Sequence, residues 1–204
     1  MNVAVVDYGL GNIYSVMAAL REVGVSAVLD TDGTMIRKCD AALVPGVAAF
    51  GAGMRSLLKS GQAESLTKHF SSGNRLIGLC LGAQMFMDRS EESPEISGLG
   101  FVTGQVVRLN EGNCTVPNQG WCKVVASESA QEGDLRALQT DRYYYFSHSF
   151  RMATGKGVSI LGTTQSGEET IVAAYQIDNV VGIQFHPERS GADGLEFLAA
   201  IMRS

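Results

Sequence analysis

The chain is poor in the residues that build disulfide frameworks, metal clusters and nucleic-acid-binding surfaces. Its 204 residues include only four cysteines, four prolines and one tryptophan. The cysteines, at positions 39, 80, 114 and 122, are too scattered for a metal motif and too few for a disulfide scaffold. Sixteen basic and twenty-one acidic residues give a net charge of −5, which provides no general attraction to nucleic acid or anionic lipid. We therefore expect neither a metal nor another cofactor, and no nucleic-acid partner.

The sequence also lacks long apolar segments. No run of about 18 apolar residues occurs, so no membrane span is predicted. The opening residues, Met-Asn-Val-Ala-Val-Val-Asp, have no basic segment, and Asp7 interrupts the apolar run, which is unlike a secretory signal. These features predict a cytoplasmic protein. The length and the 45% hydrophobic fraction predict one domain, residues 1–204, whose core needs no cross-links.

The order of apolar segments predicts the fold class. In the first half, short Val-rich runs alternate with segments of helical period, as in parallel βαβ units. Strands are expected at 2–7, 25–29, 41–44 and 75–79, and helices at 13–23, 53–58, 62–71 and 81–88. After Pro94 short strands are expected at 103–109, 123–125, 143–150, 159–163, 171–176 and 180–184, with a last helix at 191–202. We predict an α/β fold with an open, mostly parallel sheet flanked by helices and with mixed strands in the second half.

Two glycines, Gly9 and Gly11, follow the first predicted strand and invite comparison with a dinucleotide-binding fingerprint. That fingerprint needs a third small residue, where this chain has Tyr14, and a tyrosine would hold the helix away from the strand. The pattern is more typical of a tight strand-to-helix turn with Asn12 as the N-cap, or of a loop that faces a partner.

The segment Gly78-Leu79-Cys80-Leu81-Gly82 lies where an apolar strand meets a predicted helix. A nucleophile flanked by glycines at such a junction is the pattern of a nucleophile elbow, in which side chains at the glycine positions would collide. The helix N-terminus favours the thiolate, and the Leu81 N–H can stabilise an oxyanion. Cys80 is therefore a candidate nucleophile, whereas the other three cysteines have no such setting.

A cysteine nucleophile needs a histidine base and a group that orients it. His186 follows the apolar run 180–185, so it is expected at the end of a strand, and Glu188 lies within reach of its imidazole. His69 is expected on a surface helix and His148 within a strand. Cys80, His186 and Glu188 are thus the predicted triad.

These motifs resemble those of the class I, triad-type glutamine amidotransferases, and the resemblance covers nearly the whole chain. The nucleophile segment 78–84 and the Gln-Phe-His-Pro-Glu segment 184–188 carry it. Five more segments support it: 6–12, 45–51, 116–121, 145–150 and 186–191.

The resemblance implies a reaction and a set of site residues. Cys80 would attack the side-chain amide of L-glutamine, His186 would protonate the departing ammonia, and Glu188 would orient His186. The implied oxyanion hole consists of the Leu81 N–H and a peptide at Val47 or Ala48, which has to reorient on activation. The implied glutamine-binding residues are Gly46, Gln84, Ser147, His148 and Ser149.

The resemblance further implies that the ammonia passes to a second chain, because 204 residues leave no room for a synthase barrel. That partner would be a TIM-barrel cyclase that makes imidazole glycerol phosphate in histidine biosynthesis, in a heterodimer with this chain. The implied interface residues are Asn12, Asn118, Gln119, Trp121 and Arg189, with Trp121 expected in a loop.

The sequence departs from the family pattern at three places, and they leave the acceptor open. Ala48 stands where glycine is usual, Asn118-Gln119 replaces His-Met, and Arg189 replaces Lys. Ammonia supply to surface-polysaccharide sugar synthesis is one alternative. Another is a cysteine amidase or peptidase on the same fold, and a third is a non-enzymatic redox sensor or binding module with an elbow cysteine.

Overall fold

A computed structural model describes residues 1–131, 138 and 141–203 of the chain. Within them, twelve strands and five α-helices follow one another. The strands are β1 (Asn2–Val6), β2 (Ser26–Asp30), β3 (Ala41–Val44), β4 (Arg75–Leu79), β5 (Met87–Ser90), β6 (Val102–Arg108), β7 (Asn118–Ala126), β8 (Arg142–His148), β9 (Phe150–Thr154), β10 (Ser159–Ser166), β11 (Glu169–Ile177) and β12 (Val180–Ile183). The helices are α1 (Ile13–Glu22), α2 (Phe50–Lys59), α3 (Gln62–Ser71), α4 (Leu81–Met85) and α5 (Gly191–Ile201).

Nine strands form one large sheet in the order β2-β1-β3-β4-β12-β11-β10-β7-β8. The pairs from β2 to β12 are parallel, and those from β12 to β8 are antiparallel. The predicted fold class, a mostly parallel first half with mixed strands in the second, is confirmed.

Helices cover both faces of the parallel half because its strands are apolar on both sides. On one face α1 and α5 pack with Val3 and Leu43 in one apolar cluster. On the other face α2 and α3 pack with Ala4 and Val44 in a second cluster. Burial on both faces explains why these strands are continuous apolar runs in the sequence.

The parallel register brings three strand ends to one edge of the sheet. Val44 pairs with Gly78, and Leu79 pairs with Ile183. Consequently the segments after β3, β4 and β12 leave the sheet side by side, at the edge where open α/β sheets place their sites.

A second sheet, of three strands in the order β5-β6-β9, was not expected from the sequence. The predicted helix 81–88 was too long, since α4 ends at Met85 and β5 begins at Met87. The predicted strand 143–150 was also wrong in part. It is two strands, β8 in the large sheet and β9 in the small one, separated at Ser149.

Three local expectations were wrong. Trp121 lies within strand β7 rather than in a loop, although its side chain is exposed. His69 is buried, not on the surface, and its Nε2 lies 3.2 Å from the Arg75 carbonyl oxygen. Tyr14 points into solvent, so it does not hold α1 away from the sheet. Asn12 does occupy the N-cap position of α1, but its side chain makes no capping hydrogen bond.

None of the helices in the described ranges is long and apolar enough to cross a membrane.

Candidate active site

Cys80 stands at the junction of β4 and α4 with a backbone that few side chains adopt. Its φ is 51° and its ψ −108°. A methyl group at Gly82 would lie 1.8 Å from the Val44 carbonyl oxygen, and one at Gly78 would lie 2.5 Å from the Ala83 nitrogen. Only glycine fits at both places, so the strained turn and its two glycines form one unit, as the nucleophile-elbow pattern predicts.

His186 is held beside this elbow by strand β8. Its N–H donates to the Tyr145 carbonyl at 2.9 Å, and its carbonyl accepts from the Ser190 hydroxyl at 2.6 Å. His186 Nδ1 lies 2.9 Å from Glu188 Oε1, with both side chains almost completely buried. Since Nδ1 is engaged by Glu188, Nε2 is the nitrogen left for Cys80.

The charges of the site favour a protonated imidazole. Burial alone would lower the pKa of His186, but the Cys80 thiolate, a hydrogen bond to it and the Glu188 carboxylate together raise the pKa to about 10. At neutral pH His186 is therefore an imidazolium. An imidazolium that faces a sulfur nucleophile can donate a proton to a leaving group.

A cavity of about 320 Å³ opens above Cys80. Its lining includes ten of the residues named from the sequence: Val47, Ala48, Cys80, Leu81, Gln84, Ser147, His148, Ser149, His186 and Arg189. Gly46 is not in the lining; a methyl group there would lie 2.2 Å from the Tyr8 hydroxyl, so this glycine permits close packing beneath the site.

The expected oxyanion donors differ in their hydrogen bonding in this structure. Leu81 is the first residue of α4, where backbone N–H groups have no acceptor within the helix. The Val47 N–H, by contrast, donates to the Leu10 carbonyl at 3.2 Å. The prediction that Val47 supplies a donor is therefore not met in this conformation.

Two of the residues expected to hold glutamine are fixed by the same carbonyl group. Gln84 Nε2 lies 3.0 Å and His148 Nδ1 2.9 Å from the Phe150 carbonyl oxygen. Burial lowers the pKa of His148 to about 4. His148 is thus neutral, with Nδ1 protonated and Nε2 accepting from the Asn118 amide at 3.1 Å.

Sequence reasoning missed Glu92, which also lines the cavity. Its Oε2 accepts a hydrogen bond from the Phe50 N–H, 2.7 Å away, at the first turn of α2. Glu92 lies in a polar loop after β5, and no periodicity or motif distinguishes it from its neighbours. Only the tertiary fold brings this carboxylate to the site.

Of the five residues named for a partner interface, four are exposed and one is buried. Gln119 and Trp121 lie on the exposed face of β7, where Trp121 makes an edge contact with Tyr145, and the Arg189 guanidinium lies 4.1 Å above the Tyr145 ring. Asn12 is exposed at the start of α1. Asn118 faces inward and is only 6% exposed, so it offers little surface to a partner.

A larger groove, of about 770 Å³, runs along α1 and β2 beside Tyr14 and Arg21. It contains none of the residues with candidate chemistry, so chemistry rather than size assigns the site to the cavity above Cys80. Among the residues that the structure describes, no cluster of three or more His, Cys, Asp or Glu side chains could hold a metal.

Comparison with known proteins agrees with this assignment. The sequence model of the family "Glutamine amidotransferase class-I" matches residues 4–202. The imidazole glycerol phosphate synthase subunit HisH of Methanothermobacter thermautotrophicus is 37% identical over 196 residues, which are 96% of this chain and 95% of that protein. The HisH subunit of Aquifex aeolicus is 34% identical over 204 residues, covering 100% and 97%.

Solved structures support the fold. A glutamine amidotransferase superposes with a TM-score of 0.77 at 20% identity, over 98% of this chain and 97% of that one. PurLQS from Thermotoga maritima superposes with a TM-score of 0.76 at 18% identity, over 99% and 97%. At such identities the likeness concerns the fold alone.

Proposed function

The chain belongs to the class I glutamine amidotransferases, and on that premise we propose that it hydrolyses L-glutamine with Cys80, His186 and Glu188 and passes the ammonia to a cyclase subunit. The observation that carries the proposal is the His186 imidazole, which lies between Glu188 Oε1 at 2.9 Å and the elbow cysteine. A nucleophile, a base and a group that orients the base are the parts that acyl transfer requires.

In the first half of the reaction, the Cys80 sulfur attacks the side-chain amide carbon of glutamine. A C–S bond forms, and the carbonyl oxygen becomes an oxyanion beside the Leu81 N–H. When the C–N bond breaks, His186 transfers its Nε2 proton to the nitrogen, which leaves as ammonia. Glutamate is then held as a thioester on Cys80.

In the second half, the now neutral His186 removes a proton from water, and the oxygen attacks the thioester. The C–O bond forms, the C–S bond breaks, and glutamate departs while the sulfur regains its negative charge. Glu188 keeps Nδ1 protonated throughout, so that Nε2 can alternate between donor and acceptor.

The cavity has groups suited to the charged end of glutamine. Glu92 and Arg189 place one carboxylate and one guanidinium in its lining. Gln84 gives its amide hydrogens to Phe150 and Gln184, which leaves its oxygen as an acceptor for the substrate. We assign Glu92 and the Gln84 oxygen to the α-ammonium group of glutamine, because both offer acceptors.

Activation would require the Val47 peptide to move. Its N–H is bound to the Leu10 carbonyl, and only after that hydrogen bond breaks can it join Leu81 as an oxyanion donor. The methyl group of Ala48, where the family usually has glycine, restricts the orientations open to this peptide. Partner binding is the event that we propose releases it.

The relatives' names favour one acceptor among those left open by the sequence. They are called subunits of imidazole glycerol phosphate synthase, over nearly their full length. We therefore propose a TIM-barrel cyclase of histidine biosynthesis as the partner, in a heterodimer, rather than a sugar-modifying enzyme.

The test measures glutamate release from glutamine by the chain alone and with the cyclase and its ribotide. Wild type should release glutamate faster in the complex, and Cys80→Ala should release none while it still binds the cyclase. Cys114→Ala is the matched control, since Cys114 is on a turn away from the cavity, and it should retain full activity. Turnover by Cys80→Ala, or no release by folded wild type in either state, would refute the proposal.

A further inference from the structure

A buried amide lies directly beside the candidate nucleophile. Gln184 follows the last residue of β12 and is completely buried. Its Nε2 lies 3.6 Å from Cys80 Sγ, within hydrogen-bond distance of a sulfur. Gln184 does not line the cavity above Cys80, so it is not placed to touch a substrate there.

The hydrogen bonds around Gln184 decide which end of its amide faces the sulfur. Gln84 Nε2 lies 3.0 Å from the Phe150 carbonyl oxygen, which can only accept, so this end of Gln84 is its NH₂ group. The same nitrogen lies 3.1 Å from the Gln184 side chain, which must therefore present its oxygen. The NH₂ group of Gln184 is then the end that faces Cys80 Sγ.

The backbone holds both partners in this relation. The Cys80 N–H donates to the Ile183 carbonyl at 2.7 Å, directly before Gln184. The Gln184 N–H donates to the Ala173 carbonyl at 2.9 Å. Because these bonds belong to the parallel and antiparallel neighbours of β12, the amide and the sulfur are fixed by the centre of the sheet.

We propose that Gln184 is a positioning residue that donates a hydrogen bond to the Cys80 sulfur and thereby stabilises its thiolate in the free protein. A neutral donor to an anionic acceptor forms a charge-assisted hydrogen bond, which is stronger than one between neutral groups. Gln84 holds Gln184 in the donating orientation. Only the expected effect of Gln184 on glutamine turnover rests on the function proposed above.

The other groups that face the sulfur can be distinguished from Gln184. His186 comes from the segment after β12, and Glu188 lies behind it. Tyr8 comes from the segment after β1, and its hydroxyl donates to the Pro45 carbonyl at 2.7 Å. Glu92 lines the same cavity. Unlike these four groups, an amide does not titrate, so its replacement changes the sulfur's hydrogen bonding without removing an ionisable group.

Two variants test the hydrogen bond. Gln184→Met keeps a similar volume but has no donor, and Gln184→Glu keeps shape and an acceptor for Gln84 while it replaces the donor. The rate of Cys80 alkylation by iodoacetamide is measured against pH by mass spectrometry of the Cys80 peptide. The pH of half-maximal rate should rise by about one unit in Gln184→Met and by at least as much in Gln184→Glu.

Turnover of glutamine gives a second readout. Because Gln184 acts on the sulfur, the pH at which kcat is half-maximal on the acid side should rise together with the alkylation midpoint, while KM stays within about twofold. Gln62→Met is the matched control. Gln62 is another fully buried amide, which donates to the Asp30 carboxylate and not to Cys80, and its replacement should leave the alkylation profile unchanged.

Unchanged alkylation profiles in both folded Gln184 variants would overturn the proposal. A raised KM with an unchanged profile would also overturn it, since Gln184 would then act only by supporting Gln84. Because iodoacetamide needs no glutamine, this outcome is distinguishable from failure of the proposed glutaminase function.

A measurement on the wild-type chain tests the same hydrogen bond if the Gln184 variants do not fold. The Gln184 side-chain NH₂ resonances should shift with pH at the same midpoint as Cys80 alkylation, and the shift should vanish once Cys80 is alkylated. Resonances that do not respond to the titration of Cys80 would overturn the proposal.

Discussion

Cys80 illustrates how a single residue can be held in an unfavourable conformation by its neighbours. Its φ of 51° costs a residue with a side chain on the order of 1 kcal/mol or more. Its N–H bonds to the Ile183 carbonyl at 2.7 Å, and its carbonyl accepts from the Gln84 N–H at 3.1 Å. Hydrogen bonds on both sides thus fix the turn, and the sulfur has one direction in which to point.

At the same scale, burial of the His148 side chain makes the free energy of unfolding depend on pH. Burial lowers the pKa of His148 in the folded chain to about 4, whereas in the unfolded chain it has the ordinary pKa of 6.5. Between these two pH values the unfolded chain binds a proton at His148 and the folded chain does not. The stabilising contribution of His148 is present above pH 6.5 and is lost as the pH falls toward 4. Between pH 6.5 and 4.5 the loss is about 2 kcal/mol.

Urea unfolding of wild type and His148→Gln at both pH values checks this. The free energy of unfolding should fall by about 2 kcal/mol less in His148→Gln than in wild type over that interval. Glutamine is the chosen replacement because its amide can still meet the Asn118 side chain. Equal losses in the two proteins would contradict the assignment of a neutral, buried His148.

At the scale of elements, the contact between β3 and α4 tolerates no side chain at Gly82. A methyl group there would lie 1.8 Å from the Val44 carbonyl oxygen, which is part of the sheet backbone and cannot move aside. Gly82→Ala should therefore lower the free energy of unfolding by about 3 kcal/mol and abolish glutamine turnover, as α4 is displaced.

The matched control is Gly112→Ala, whose methyl group would meet nothing closer than the tip of the Asn110 side chain at 3.3 Å. Its free energy of unfolding in urea should stay within about 0.5 kcal/mol of wild type. A Gly82→Ala variant as stable and active as Gly112→Ala would show that the elbow can relax.

Elements whose local pattern agreed with their burial were predictable from the sequence. The predicted helix 62–71 and strand 75–79 coincide with α3 and β4. The first has a clear apolar period between polar ends, and the second is an apolar run that ends directly before Cys80 of the elbow. The candidate triad was likewise predictable, because Cys80 and His186 each directly follow a parallel strand or lie close to its end.

Elements that depend on distant partners were not predictable. Met87–Ser90 becomes β5 only because β6 pairs with it, and locally it continues the apolar period of α4. The predicted strand 143–150 divides at Ser149 because its two halves pair with different sheets, β7 and β6. Glu92 and Gln184 were missed for the same reason: each gains its setting from residues far away in the sequence.

At the scale of the whole molecule, one face of the antiparallel half is continuous with the mouth of the cavity. Trp121 and Tyr145 pair across β7 and β8, and Arg189, which lines the cavity, stacks on Tyr145. Trp121 is 56% exposed. An exposed tryptophan beside a stacked arginine is typical of the centre of a binding interface.

Trp121→Ala should therefore weaken binding of the cyclase by about 2 kcal/mol, or roughly 30-fold in Kd, and leave the folding of the free chain unchanged. Leu58→Ala is the control, since Leu58 is 55% exposed near the end of α2 and belongs to no part of this face. Its Kd should change less than about twofold. Calorimetric titration measures both, and an unaltered Kd in Trp121→Ala would exclude this face as the docking site.

The hydrogen bond from the Val47 N–H to the Leu10 carbonyl affects how much glutamine a cell would hydrolyse without using the ammonia. While it persists, the Val47 N–H is withheld from the proposed oxyanion pocket, and loss of one donor slows acyl transfer by about 10²–10³. A chain made in excess of its cyclase would then deamidate little glutamine on its own. Glutamine would then be hydrolysed mainly in the complex, where an acceptor for ammonia is present. Unequal production of the two subunits would therefore waste little glutamine.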